Sequence, residues 1–206
     1  MTGSGTAPPD PFRIAGVIIG IVEDVEGDPL QLNRVRVSFP TLGIKSNWAR
    51  VASFFAGPDR GGFFAPAKGD EVLVAFEQGD LVRPFIIGAL WNGVDKPPVP
   101  EASAQTQKTI RTGSGLQLMF DENADATRIE ILDGTGNSIL IDTSGKRIAI
   151  TSTGNIELST ESGDVSISGV NISLSASAAV TVKGDASAEL SSSGETAVQG
   201  SLVKLN

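Results

Sequence analysis

Apolar and polar positions alternate with a period of two along most of the chain, and no long window repeats at 3.6, so strands are expected and helix should be nearly absent. Five β-rich runs, residues 13–25, 34–39, 47–55, 70–77 and 83–91, are separated by turn residues. In the second, Val35, Val37 and Phe39 alternate with Arg34, Arg36 and Ser38; in the fourth, Val72, Val74 and Phe76 alternate with Leu73 and Ala75. One side of each strand can therefore fill a common interior, and five such strands suit a small closed barrel.

After residue 92 the pattern changes. Residues 92–107 gather Pro, Ala, Ser and Gln with little apolar content, the composition of a semi-extended linker. Beyond it, apolar residues come in pairs two apart: Leu116/Leu118, Ile129/Ile131 and Ile139/Ile141. A tighter series follows: Ile148/Ile150, Ile156/Leu158, Val165/Ile167, Ile172/Leu174, Val180/Val182, Ala188/Leu190, Thr196/Val198 and Val203/Leu205. Its first members step by 8, 9, 7, 8, 8, 8 and 7 residues, an internal repeat of nearly eight. Small residues flank each pair, and Gly154, Gly163, Gly169, Gly184, Gly194 and Gly200 are candidate corners.

Two aliphatic side chains per unit do not offset the conformational entropy of fixing eight residues, so each unit needs neighbours. Units this small, without long turns, favour several chains wound about one axis over a wide single-chain solenoid. All 11 prolines lie between Pro8 and Pro100, which fits a rod whose strands pair on both edges and tolerate no residue lacking an N–H. The expected fold class is all-β, a barrel followed by a trimeric, intertwined, triple-stranded β-helix. Ile148, Ile150, Ile156, Leu158, Val165, Ile167, Ile172, Leu174, Val180 and Val182 would form its trimer core.

Composition narrows the chemistry. The 206 residues include no Cys and no His, which removes disulfides, thiolate nucleophiles, Cys/His zinc sites and every triad that needs an imidazole. The net charge is −8, and residues 101–206 carry 13 acidic against 7 basic side chains, so the second half seeks neither phosphates nor anionic membranes. Residues 1–12 are small, polar and proline-rich, reading as a flexible tail without the charged and apolar regions of a signal peptide.

The densest motif lies in residues 66–93, where Gly69, Asp70, Glu71, Val72, Gly79, Asp80, Arg83, Pro84, Gly88, Trp91 and Asn92 mark a Gly-Asp-Glu-Val strand, a Gly-Asp turn, an Arg-Pro and a Gly-x-Leu-Trp-Asn ending. Together with residues 16–42 and the eight-residue repeat, it resembles the baseplate assembly protein V and VgrG-type spike family of phage tails and contractile injection systems. That resemblance implies an OB-fold domain over 13–93, a linker or transition over 94–112 and a β-helix spike over 113–206. It further implies a homotrimer that meets a separate hub protein and tail tube at its OB end. A PAAR-like tip protein would sit at the other end, on Leu202, Val203, Leu205 and Asn206. Such a spike would be made and assembled in the bacterial cytoplasm without a signal peptide, and found in the baseplate of a tail or injection particle, helping to puncture the target envelope.

Other chemistry is thinly supported. Asp121, Glu122 and Asp125 read as a turn between two strands and lack EF-hand spacing. Residues 113–115 and 144–147 lack the remaining glycines of nucleotide-binding loops. No catalytic residue, cofactor or metal site is expected, nor nucleic-acid binding or stable membrane association. Two alternatives stay open: a trimeric tail-fibre or adhesin-like β-helix protein, and an OB-fold nucleic-acid module using Phe54, Phe55, Phe63 and Phe64 as stacking platforms beside Arg50 and Arg60.

Overall fold

Each of the five expected runs contains a strand in the computed structural model, which describes residues 13–204. These are β1 (Val17–Asp24), β2 (Arg36–Phe39), β4 (Arg50–Val51), β7 (Glu71–Phe76) and β8 (Pro84–Ala89). Short hairpin strands add β3 (Ile44–Lys45), β5 (Ala56–Gly57) and β6 (Arg60–Gly61). The order β3-β2-β1-β7-β8-β4 makes one curled, half-barrel sheet, with β4 running parallel to β8 and the other pairs antiparallel. A Val35–Ala49 bridge, with N–H···O distances of 3.1 and 2.7 Å, joins the start of β2 to the approach to β4 and carries the curl toward closure.

Period-two alternation fills the inside. Val22, Val35, Val37, Phe39, Ala49, Val72, Val74, Phe76 and Ile86 form one buried cluster, with the Phe39 and Phe76 rings 5.7 Å apart. The buried Ser46 is satisfied there: its Oγ accepts from the Val37 N–H at 2.9 Å and its own N–H donates to the Val37 carbonyl at 2.7 Å. The outer wall alternates oppositely, leaving Val17 and Ile19 of β1 and Ile87 of β8 exposed. A register shift between Leu73 and Val74 pairs them with Gly88 and Ile86, so Ile87 is the extra, outward residue of a bulge.

A short 3-10 turn, Glu101–Ser103, precedes a second sheet. It comprises β9 (Gln107–Arg111), β10 (Gln117–Asp121), β11 (Arg128–Leu132), β12 (Ser138–Asp142) and β13 (Arg147–Thr151), an antiparallel meander joined by tight turns. The segment read as a linker thus ends in a strand. Leu116 differs from its expected place. It lies in the β9–β10 turn, its carbonyl accepting from the Thr112 N–H at 2.9 Å, and the same-face pair of β10 is Leu118/Phe120.

Residues 1–154 and 155–206 are separate compact units. Among its described residues, the second has no helix and no strand. Its chain bends at 161–163, 170, 177–178, 185–186, 193–194 and 201, close to the eight-residue step of the sequence. The expected β-helix is therefore not formed within this single chain. Residues 1–12, read as a tail, lie outside the described residues.

Candidate assembly surfaces

The motif of residues 69–92 ties the barrel's turns together. Gly69 (φ +98°) donates its N–H to the Val22 carbonyl at 2.9 Å, and Val22 donates back to the Asp70 carbonyl at 3.0 Å. The Asp70 carboxylate accepts from the Ala67 N–H at 2.7 Å. Val72 is buried in the core. Glu71 accepts from the Leu90 N–H through its carbonyl at 2.9 Å and from Asn92 Nδ2 through its carboxylate at 3.2 Å. Asn92 Oδ1 in turn accepts the Val94 and Asp95 N–H groups, both at 2.8 Å, and redirects the chain as it leaves the barrel.

The other end of β7 is braced by the same means. Gly79 (φ +83°) accepts the Ile14 N–H at 2.9 Å, and a Cβ there would stand 3.0 Å from the Ile14 carbonyl oxygen. The Asp80 carboxylate accepts the Val82 N–H, while Arg83 Nη1 donates to Glu77 at 2.9 Å. Pro84 opens β8, a strand position that tolerates its missing N–H. Gly88 sits opposite Leu73 at the bulge, and Trp91 is exposed. The motif is turn and brace chemistry that shapes the barrel.

The meander carries the more informative surface. Its register aligns Ile110, Leu118 and Phe120 with Ile129, Ile131, Ile139, Ile141, Ile148 and Ile150 on one face. All of these except the half-buried Leu118 are exposed, from 36% for Ile129 to 71% for Ile148. The opposite face holds Thr109, Met119, Asp121, Glu130 and Asp142, of which Met119 and Asp121 are buried and the rest half-buried. This inverts the pattern of a finished surface, and a contiguous apolar face of this size marks an interaction site.

Asp121, the first carboxylate of the acidic turn, is buried rather than solvated. It accepts Gln107 Nε2 at 3.0 Å and the Asn123 N–H at 3.1 Å, with Arg128 at 3.8 Å, and these partners, Gln107 foremost, hold its carboxyl below the usual range. Glu122 and Asp125 stay exposed in the turn, residues 113–115 lie in the β9–β10 turn, and residues 144–146 lie in the turn before Arg147 opens β13. Among the described residues no group of three His, Cys, Asp or Glu is placed to hold a metal ion, and no helix is long and apolar enough to cross a membrane.

The ten residues assigned to a trimer core divide between the two units. Ile148 and Ile150 belong to β13 and pair with Ile141 and Ile139. Ile156, Val165, Ile172 and Val180 are 55–58% exposed, and their partners Leu158, Ile167, Leu174 and Val182 are 68–78% exposed. Among the described residues, the repeat's apolar pairs are thus left uncovered at a nearly regular spacing. Leu202 and Val203 are exposed, while Leu205 and Asn206 lie outside the described residues. Sequence reading missed Ile110, hidden in the supposed linker, and Phe120, although the latter's i, i+2 spacing from Leu118 was available.

Residues 18–91 match the model of the type VI secretion system/phage-baseplate injector OB domain. The chain is 29% identical over 131 residues to the type VI secretion system spike protein VgrG3 of Vibrio cholerae, covering 57% of this chain and 13% of that protein. It is 32% identical over 111 residues to VgrG5 of Pseudomonas aeruginosa, another spike protein of that system, covering 50% of this chain and 14% of the relative. Over 138 residues it is 30% identical to a Vibrio cholerae protein named actin cross-linking toxin VgrG1, covering 60% and 13%. The matched segment spans only about one-seventh of these relatives' length.

Proposed function

Residues 18–91 are the injector OB domain of the VgrG and phage-baseplate spike family, and from that premise we propose that this chain is the structural central spike of a contractile injection machine. Three copies associate, turning the apolar faces of their β9–β13 meanders toward a common axis. The eight-residue repeats wind into a triple-stranded β-helix, with Ile156, Val165, Ile172 and Val180 inward. The observation that carries this reading is the meander's inverted burial, with isoleucines outermost and Met119 and Asp121 buried. Three-fold closure covers that face and supplies partners for strand edges that one chain leaves open.

The OB end meets a separate hub and the tail tube. The other end presents Leu202 and Val203, with Leu205 and Asn206, to a PAAR-like tip that concentrates force on the target envelope. The role is mechanical and needs no catalytic group. Native mass spectrometry of the purified chain tests it: a trimer is expected, and a stable folded monomer at micromolar concentration overturns it. Val203→Asp should abolish co-purification of a tip protein while leaving the trimer intact; a tip retained by this variant removes that part of the proposal.

A further inference from the structure

The barrel carries two apolar patches that neither its core nor the meander uses. The first is a groove of about 570 Å³ lined by Leu32 and the β5–β6 hairpin, where Phe54, Phe55, Phe63 and Phe64 are 83, 50, 70 and 63% exposed. The hairpin is braced: Ser53 Oγ donates to the Gly62 carbonyl at 2.5 Å and accepts the Phe55 N–H at 3.3 Å. The Phe54 ring packs so close over Gly62 that a Cβ there would stand 2.3 Å from it, and the Phe54 and Phe64 rings lie 6.4 Å apart. The second patch is the outer wall of β1, β7 and β8, where exposed Val17, Ile19 and Ile87 flank half-buried Leu73 and Ala75.

We infer that these patches meet between copies: the phenylalanine hairpin of one chain seats on the β1–β7–β8 wall of the next, closing the barrels into a head-to-tail ring. With Leu32 lining the same groove, the hairpin presents a contiguous exposed apolar surface, the kind that marks an interaction site rather than a finished monomer surface. Two different patches on one molecule make a heterologous contact, which closes only as a ring. Charge favours this occupant over nucleic acid. The two nearby cations are committed to rings, Arg60 lying 5.8 Å from Phe55 and Arg50 lying 5.4 Å from Phe85, and the facing wall is uncharged at its centre.

This inference rests on the trimer proposed above, and hydrogen exchange on the full-length protein, with its oligomer mass measured in parallel, separates the two. Amides of residues 53–64 should exchange at least ten-fold more slowly in the native protein than in Ile19→Glu or Phe54→Ser/Phe63→Ser, all remaining trimeric. Ile87→Glu repeats the wall test on another strand should Ile19→Glu fail to fold. A native trimer with fast exchange in the hairpin overturns the inference and leaves the spike reading standing. Slow exchange that persists in both wall variants overturns it in favour of another occupant, with residues 1–12 tested by deletion. A monomer overturns both.

Discussion

Gly20 shows how tightly this barrel is wound. A Cβ built there would lie 2.2 Å from Val37 Cγ1 and 3.2 Å from the Phe39 ring, because the inward side chains of the paired strand β2 lean over Gly20 on the inside of the sheet. Gly20→Val should therefore destabilise the domain by about 1–3 kcal/mol through overpacking, read as a lower denaturant midpoint; an unchanged midpoint counts against this close packing. Asp28 does the corresponding work in a loop. Its carboxylate accepts the N–H groups of Leu30, Leu32 and Arg34 at 3.1, 2.8 and 3.2 Å and the Arg34 Nε at 3.0 Å. Arg34 above all, then these backbone donors, holds the carboxyl well below its usual range. A folded-state value below the unfolded one adds stability that is present above about pH 4 and lost as pH falls through the folded value. Asp28→Asn should lower the urea midpoint at pH 7 and flatten its fall below pH ~4. Equal midpoints for the two proteins at pH 7 would show that the loop does not depend on this carboxylate.

The meander explains why part of this molecule was legible in sequence and part was not. Barrel strands announce themselves because one face is buried and the other wet, so Val35, Val37 and Phe39 or Val72, Val74 and Phe76 stand out from their neighbours. The meander and the repeat share the same i, i+2 apolar signature, and residue type does not separate the strands of the meander from the repeat, which forms no strand among the described residues. Spacing does separate them. Ile129, Ile139 and Ile148 step by ten and nine, room for a five-residue strand and a hairpin turn, whereas the later pairs step by about eight. The turns carry the missing signal. Asp133 accepts Thr135 and Asn137 N–H groups at 2.8 and 3.0 Å, and Asp142 accepts the Gly145 N–H at 2.7 Å, both of which fold the chain back on itself. Strand β9 stayed hidden because Gln107, Lys108 and Thr109 read as linker until β10 is there to pair with them. If the isoleucine face is the trimer contact, Ile131→Glu combined with Ile139→Glu places six carboxylates in the assembled core and should shift the full-length protein from trimer to monomer in native mass spectrometry. Ser138→Glu, on the opposite face of β12, should leave the trimer intact. Dissociation by both variants alike would rule out a face-specific contact.

At the scale of the whole molecule, the proposed trimer draws its hydrogen-bond partners from two sources. Residues 17–151 find their partners within the chain, through hairpins and the Val35–Ala49 bridge, and can order before association. Residues 155–204 bend about every eight residues and keep their apolar pairs exposed, with no strand formed in isolation. In the trimer proposed above, ordering and association of that second unit are one event, since among the described residues its apolar pairs are exposed and its backbone forms no strand ladder. Hydrogen exchange distinguishes this from a tail that stays open in the assembly. In the native trimer, amides around Ile156, Val165, Ile172 and Val180 should exchange at least a thousand-fold more slowly than in an unstructured peptide, as ladder bonds buried on a three-fold axis require. Ile172→Asp should collapse that protection along the repeat, because a charge repeated three times in a narrow core has no partner. The barrel core around Val72 and Val74 should remain protected in the same sample. Amides of the repeat that exchange at free-peptide rates in an intact trimer would leave the meander alone holding three copies together and remove the β-helix from the spike.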